Sequence, residues 1–276
     1  MGVISIFVSI MTLTVAVGLQ DRPSDAPLPP LPWNPDVRVA ANPLFSSAMT
    51  AIGSVLFAAA ATPTFFGIVA EMRDPREYTK ALLIGQTAVT VFYIVIAAVV
   101  YGFCGQYVST PALGSAGPLL KRISYGLAIP ALLVSLTLYT HIPAKYVFVR
   151  VLRGRWKYHL ARPTKIHWTA WFGATGGCTL IAYIIASGIP VFGSLISFIG
   201  AIFCPTVCMV PYMFMWFHDH PEWRLTLRTR IVAGINVFII LAGVFLTVAG
   251  TYGSVVDLIS AASDRPWSCA DNSNSV

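Results

Sequence analysis

A proline between two threonines interrupts an apolar stretch and is the feature best suited to hold a small ligand. Thr62, Pro63 and Thr64 divide the apolar run of residues 46–70, and residues 58–61 before them are all alanine. Proline removes a backbone N–H from a helix, and unwound backbone in hydrocarbon survives only against protein or a water-filled cavity. The stretch therefore predicts a discontinuous helix with a ligand site at its break. A simple proline kink is the alternative.

Ionisable side chains offer little other chemistry at membrane depth. Glu71, Asp74 and Glu77 follow the interrupted stretch, and Asp257 is expected just past the last apolar segment. No paired carboxylates are available for a proton relay or for acid–base catalysis. The sequence has no phosphate-binding loop, nucleophile elbow or zinc spacing of its five cysteines. We therefore expect no enzyme activity, no cofactor and no metal.

His141 is the titratable group expected inside a membrane span, with Ser135 and Thr137 on the same segment. A histidine within a span could sense or relay protons near neutral pH, or could bond to a backbone carbonyl near the span's end. The two hydroxyls could contribute oxygens to an ion site if they face the broken helix, or could bond to carbonyls of their own helix. These three residues are the candidates for ion coupling.

The composition predicts an all-α integral membrane protein. Of the 276 residues, 56% are hydrophobic and only 11% are charged, whereas soluble domains carry about 25% charged residues. Residues 166–217 contain no charged side chain and need two spans, with a turn at Gly188-Ile189-Pro190. The first segment could also be a signal peptide, although no basic residue precedes it. Apolar length predicts seven spans, at about residues 1–18, 46–70, 81–103, 123–149, 166–187, 191–217 and 231–253.

The loops between the spans differ in charge. Residues 19–45 form a proline-rich, extended loop, and residues 254–276 form a polar tail. If the loops alternate between two sides, one side carries thirteen Lys and Arg residues and the other carries five. The positive-inside rule then places the N-terminus in the cytosol and both the proline-rich loop and the tail outside or in a lumen. This asymmetry accounts for the net charge of +7 without a nucleic-acid partner. Contact of the basic loop 150–165 with anionic lipid remains open.

Several short runs resemble the amino acid/auxin permease family, and more narrowly the fungal neutral amino acid permeases. The resemblance covers residues 1–255, and its most specific run is Glu71-Met72-Arg73-Asp74-Pro75-Arg76. The other matching runs are Thr62-Pro63-Thr64-Phe65-Phe66, Lys80-Ala81-Leu82, Tyr101-Gly102-Phe103-Cys104-Gly105-Gln106, Leu113-Gly114-Ser115-Ala116-Gly117 and His141-Ile142-Pro143-Ala144-Lys145-Tyr146.

The resemblance implies a partial LeuT-type fold, in which two inverted five-helix repeats are followed by an eleventh helix. This chain would hold the fifth to eleventh helices, with residues 46–253 as a six-helix transporter domain. The first four helices, including the other broken helix, would be missing, so the chain is expected to be incomplete as a transporter. The oligomeric state is left without a prediction.

The activity implied by the resemblance is uptake of a neutral amino acid, coupled to an ion gradient of H⁺ or Na⁺, with H⁺ favoured. The substrate would bind where exposed backbone and helix-dipole ends meet a zwitterion, at Ala60, Ala61, Thr62, Thr64 and Phe65. The plasma membrane and the vacuolar membrane both fit.

The sequence is compatible with three other functions to different degrees. A non-transporting membrane protein that associates with full-length permeases would have the same spans. A seven-span receptor is disfavoured because its N-terminus would lie outside, and a membrane-embedded enzyme is disfavoured because no second catalytic group accompanies His141.

Overall fold

The structure is a computed structural model, and it describes residues 2–20, 22–23, 26–27, 32–38, 40–154, 157–160, 162–189, 191–222 and 226–260. Pro190 of the predicted turn and residues 261–276 of the predicted tail lie outside the described residues. All regular elements among the described residues are helical. The α-helices are α1 (Gly2–Leu19), α2 (Phe45–Ala59), α3 (Thr62–Glu71), α4 (Tyr78–Cys104), α5 (Pro118–Leu152), α6 (Lys165–Gly188), α7 (Phe192–Phe203), α8 (Val210–Asp219) and α9 (Leu227–Ser260).

Within the described residues, seven helical segments are long and apolar enough to cross a membrane, which confirms the predicted all-α membrane fold with seven spans. Two of the spans are composite. One joins α2 and α3, and the other joins α7 and α8 through a π-helical segment, Cys204–Met209. The remaining spans are formed by α1, α4, α5, α6 and α9.

The chain divides into two compact units, and the first comprises the described residues of 1–37 and 96–190. In this unit α1 packs on α5, and the buried hydroxyl of Ser9 donates a 2.7 Å hydrogen bond to the carbonyl of Ser124. Helix α5 also packs on α6 around the buried side chains of Phe148 and Ala174. A second buried cluster contains Leu13, Ala16, Val17, Val100, Cys104 and Ala116.

Part of the proline-rich loop 19–45 packs against the first unit. The carbonyl of Pro35 accepts a 3.1 Å hydrogen bond from the backbone N–H of Gln106. Gly105 has a φ of +58°, and a Cβ atom on it would lie 1.5 Å from the same carbonyl oxygen. Only glycine suits both its left-handed conformation and this close approach, so this part of the loop is held against the first unit.

The second unit comprises the described residues of 38–95 and 191–265. Helices α2, α7 and α9 pack against one another in this unit. Gly53 and Gly200 are buried where α2 crosses α7, and a Cβ atom on Gly53 would lie 2.6 Å from the carbonyl oxygen of Ser197. Small residues let membrane helices approach until their backbones touch, so these two glycines bring α2 and α7 into backbone contact.

The π-helical segment is a feature that the sequence analysis missed. Cys204 and Cys208 lie in this segment, where Cys204 is buried and Cys208 is half-buried. Pro205, within the segment, has no N–H with which to continue the α-helical ladder, and a wider turn is a common way to accommodate such an interruption.

Helix α9 continues to Ser260, beyond the end predicted at residue 253. A Cβ atom on Gly253 would lie 2.7 Å from the Cβ atom of Met49, and the next residue, Ser254, is fully buried. Packing on α2 therefore supports further helical turns despite the polar sequence. The expectation that Asp257 lies past the last span was wrong, since Asp257 is half-buried within α9.

Candidate functional site

The composite span of α2 and α3 is broken at Ala60 and Ala61. The N–H of Ala60 bonds to the carbonyl of Phe57 at 3.2 Å, and the N–H of Ala61 bonds to the carbonyl of Ala59 at 2.9 Å. Both bonds reach carbonyls closer than the fourth preceding residue, which an α-helix would use. The regular helical ladder is therefore interrupted over two residues, inside a span that is otherwise apolar.

Pro63 lies in the first turn of α3 and not in the unwound segment. The break therefore precedes the position predicted at Thr62–Thr64. The physical reason is that the first turn of a helix has no intrahelical acceptor for its N–H groups, so proline is tolerated there. The missing N–H of Pro63 would have bonded to the carbonyl of Ala59 in a continuous helix, and the N–H of Ala61 bonds to that carbonyl instead.

The predicted substrate residues lie on both sides of the break. Ala61 and Thr64 are exposed, whereas Ala60, Thr62 and Phe65 are half-buried. The Thr64 hydroxyl donates a 2.7 Å hydrogen bond to the carbonyl of Ala61, so it is bonded to the backbone at the start of the new helix. What the break presents is thus mainly backbone: the carboxyl end of α2, the amino end of α3, and two small residues between them.

The two halves of the broken span are held differently. Helix α2 is fixed by the backbone contacts at Gly53 with α7, whereas none of the described side chains of α3 is buried. Helix α3 contacts its surroundings through aromatic rings. Phe66 stacks on Tyr212 of α8 at 5.8 Å and 16°, and Phe65 meets the edge of Tyr78 at 6.5 Å.

The π-helical segment contacts α2, α3 and α9, so the two irregular spans of the second unit meet. Irregular backbone is tolerated at membrane depth where it is packed in protein or lines a cavity, and π-helical turns are frequent at functional sites. Pro205 could have indicated this second irregularity in the sequence, although a single proline predicts a kink equally well.

Buried hydroxyls join α2 to α7, and the sequence analysis did not identify them. Ser197 donates a 2.7 Å hydrogen bond to the carbonyl of Thr50, and its oxygen lies 2.6 Å from the hydroxyl oxygen of Ser54. The Ser54 hydroxyl also lies 3.4 Å from the carbonyl oxygen of Thr50, so the two hydroxyls and this carbonyl form one hydrogen-bond network. Residues 143 positions apart form this pair, so no local pattern could have predicted it.

The ion-coupling candidates belong to the first unit, whereas the broken helix belongs to the second. Ser135 is half-buried on α5. Thr137 is exposed and donates a 2.8 Å hydrogen bond to the carbonyl of Leu133, four residues earlier. Such a bond within its own helix is the alternative to a role in an ion site. His141 is exposed, and its ring meets the edge of Trp171 on α6 at 5.3 Å.

Within the described part of the chain, no group of three or more His, Cys, Asp or Glu side chains is placed to hold a metal ion. The half-buried carboxylate in the second unit instead joins two helices, because buried Ser194 of α7 donates a 2.5 Å hydrogen bond to the Oδ2 atom of Asp257 in α9.

Comparison with known proteins places these features in a family. Residues 1–256 match the family model described as "Transmembrane amino acid transporter protein". The chain is 34% identical over 285 residues to a "Transmembrane transporter" of Gibberella moniliformis, and 33% identical over 284 residues to one of Fusarium pseudograminearum. It is 27% identical over 278 residues to the "N amino acid transport system protein" of Neurospora crassa.

These alignments cover the present chain almost completely but cover its relatives only in part. They include 100%, 100% and 97% of this chain, and 58%, 58% and 57% of the Gibberella, Fusarium and Neurospora proteins. No solved structure matches the chain. The family match over nearly the whole sequence agrees with an apolar protein of seven membrane spans, and the chain belongs to the transmembrane amino acid transporter protein family.

Proposed function

We propose that this chain contributes the broken helix of an amino acid transporter, and that the substrate binds at Ala60 and Ala61. The observation that carries the proposal is the interrupted hydrogen-bond ladder inside an apolar span. The amino end of α3 has the positive end of the helix dipole and suits the substrate carboxylate, whereas the carbonyl end of α2 suits its ammonium group.

The surroundings of the break favour a neutral amino acid. Residues 39–70 contain no charged side chain, so the backbone ends would neutralise the zwitterion by themselves. Phe65 and Phe66, on the first turns of α3, offer an apolar surface to the substrate side chain. A charged substrate side chain would require a partner that this segment lacks, because an unpaired charge is costly to hold in a membrane.

Coupling to an ion gradient is part of this proposal, with H⁺ favoured over Na⁺. Ser135, Thr137 and His141 remain the proposed coupling residues. The proposed membrane is the plasma membrane or the vacuolar membrane, with the N-terminus in the cytosol. The excess of Lys and Arg in the loops on one side of the spans supports this orientation.

The test is uptake of radiolabelled neutral amino acids by cells that express the chain alone, or the chain joined to the part of the Gibberella relative that the alignment leaves uncovered. Uptake is compared at pH 5 and pH 7.5, with and without Na⁺. We expect uptake by the joined protein, stimulated at pH 5. Absence of uptake in both forms, with protein confirmed in the membrane, would contradict the proposal and favour a non-transporting partner of longer permeases.

Pro63→Ala in the joined protein tests the break itself. We expect unchanged insertion into the membrane and impaired uptake, because an N–H at residue 63 could restore a continuous ladder to Ala59. Unchanged uptake kinetics in this variant would remove the broken helix from the proposal. A matched control is Pro43→Ala, since Pro43 precedes α2 and lies outside the span.

A further inference from the structure

A groove between α5 and α6 in the first unit combines a cation with an aromatic wall. Its volume is about 430 Å³. The polar lining residues are Lys145, His141 and His167, and the apolar lining includes Phe148, Trp168 and Trp171. The groove is part of neither the broken helix nor the π-helical segment.

The floor of the groove is held in place by contacts between rings. Phe148 meets His167 edge-on at 5.0 Å and Trp171 at 5.4 Å. The Nδ1 atom of His167 lies 2.9 Å from the carbonyl oxygen of His159, which fixes the imidazole. Ala144, beneath these rings, is fully buried. Because these side chains are constrained by one another, the groove is formed before any ligand enters.

The charge around the groove is one-sided. Residues 78–218 contain no Asp or Glu, so α5, α6 and the loop between them supply no carboxylate to neutralise Lys145. Lys145 is exposed. Among the described residues of 146–165, five further cations are exposed, at Arg150, Arg153, Lys157, Arg162 and Lys165. This end of the first unit therefore attracts an anion.

The position of Lys145 along α5 corresponds to the level of lipid headgroups. Arg122 and Lys145 lie in the same helix and are separated by roughly 35 Å at 1.5 Å per residue. The hydrocarbon core of a bilayer is about 30 Å thick, so each cation reaches one interface. Trp168, in the first turn of α6, has the interfacial position that tryptophan favours.

We propose that the groove binds one anionic phospholipid, with its phosphate and anionic headgroup at Lys145 and an acyl chain along Phe148, Trp168 and Trp171. Charge complementarity favours this occupant over a zwitterionic phospholipid, which has no net charge for the uncompensated cation. The aromatic wall favours it over a soluble anion, which would leave that wall without a partner. This proposal does not depend on transport.

The test uses quenching of tryptophan fluorescence by brominated lipids in mixed micelles that contain the purified full chain. Brominated phosphatidylglycerol is compared with brominated phosphatidylcholine at equal mole fraction. The wild-type chain should show stronger quenching by phosphatidylglycerol, and inorganic phosphate should not compete. The difference should disappear in the Trp168→Phe, Trp171→Phe double variant, which would assign it to the groove. Equal quenching by the two lipids, or full competition by phosphate, would overturn the proposal.

Variants of Lys145 test the headgroup contact. Lys145→Gln should lower the preference for phosphatidylglycerol about fivefold, the contribution of one cation near a membrane surface, whereas Lys145→Arg should keep it. The matched control is Arg122→Gln, at the opposite end of the same helix, which should leave quenching in the groove unchanged. An unchanged preference in Lys145→Gln would contradict the proposed site. The comparison of lipids in the wild-type chain remains decisive even if a variant misfolds.

Discussion

Gly200 of α7 lies so close to Gly53 of α2 that a Cβ atom built on Gly200 would be 2.1 Å from the carbonyl oxygen of Gly53. The two helices therefore touch through their backbones, about two turns before the point where the broken span unwinds. In the second unit this contact holds α2, the half of the broken span that precedes Ala60, against α7.

Gly200→Ala should lower the free energy of unfolding by about 1–3 kcal/mol, because the new methyl group meets backbone that cannot rotate away. The measurement is unfolding of the purified chain in mixed micelles. The matched control is Gly234→Ala in α9, where a Cβ atom meets nothing within 4 Å. That control should keep or raise the stability, by up to about 1 kcal/mol, through helix propensity. Equal stability of the two variants would contradict the backbone contact.

The hydroxyl pair Ser54 and Ser197 should show a measurable coupling. Ser197→Ala removes the 2.7 Å donor to the Thr50 carbonyl as well as the hydrogen-bond partner of Ser54, so it should destabilise the chain more than Ser54→Ala. A double-mutant cycle should give a coupling energy of about 0.6 kcal/mol, the average for hydrogen bonds between membrane helices. Strict additivity of the two substitutions would show that the pair does not interact.

The stacking of Phe66 on Tyr212 should control the order of α3. Hydrogen–deuterium exchange should be faster in α3 than in α2, because α3 buries none of its described side chains. Phe66→Ala should accelerate exchange in α3 further, whereas Ile68→Ala, at another exposed position of the same helix, should have a smaller effect. Tyr212→Phe keeps the ring and should leave exchange unchanged. Slower exchange in α3 than in α2 would contradict this account.

The bond between Ser194 and Asp257 should contribute to the packing of α7 on α9. Asp257→Ala leaves the buried Ser194 hydroxyl without this acceptor, and a buried polar group that loses its partner costs about 1–3 kcal/mol. Asp257→Asn still offers an acceptor oxygen and should be less destabilising. Thermal unfolding in micelles compares the two variants with Ser260→Ala, whose exposed hydroxyl bonds only within α9. An Asp257→Ala chain as stable as the wild type would exclude this role.

The spans were predictable because apolar length is a property of the sequence itself. The predicted ends at residues 18 and 187 each differ by one residue from the ends of α1 and α6. Residues such as Asp257 were misplaced because polar composition predicts a loop, whereas packing of Gly253 and Ser254 in the second unit continues the helix. Tertiary contacts decided the end of α9, and a local pattern contains no information about them.

The candidate site was predictable only in outline. Pro63 indicated that the helix is interrupted, but the unwound residues are Ala60 and Ala61, because proline is favourable in the first turn of a new helix. The bond between Ser54 and Ser197 joins residues far apart in sequence and could not be inferred from either segment. The π-helical segment depends on how Pro205 is accommodated between α2 and α9, and the sequence leaves several solutions open.

The central claim, that substrate binds at the break, is tested most directly by protection of a single cysteine. In the joined protein with its native cysteines replaced, Ala61→Cys is labelled with a water-soluble thiol reagent, with and without a saturating neutral amino acid. The account predicts that the amino acid slows labelling at residue 61 and leaves labelling of Ala81→Cys, at an exposed position on α4, unchanged. Equal labelling of Ala61→Cys with and without substrate, in protein that still takes up that amino acid, would contradict a substrate site at the break.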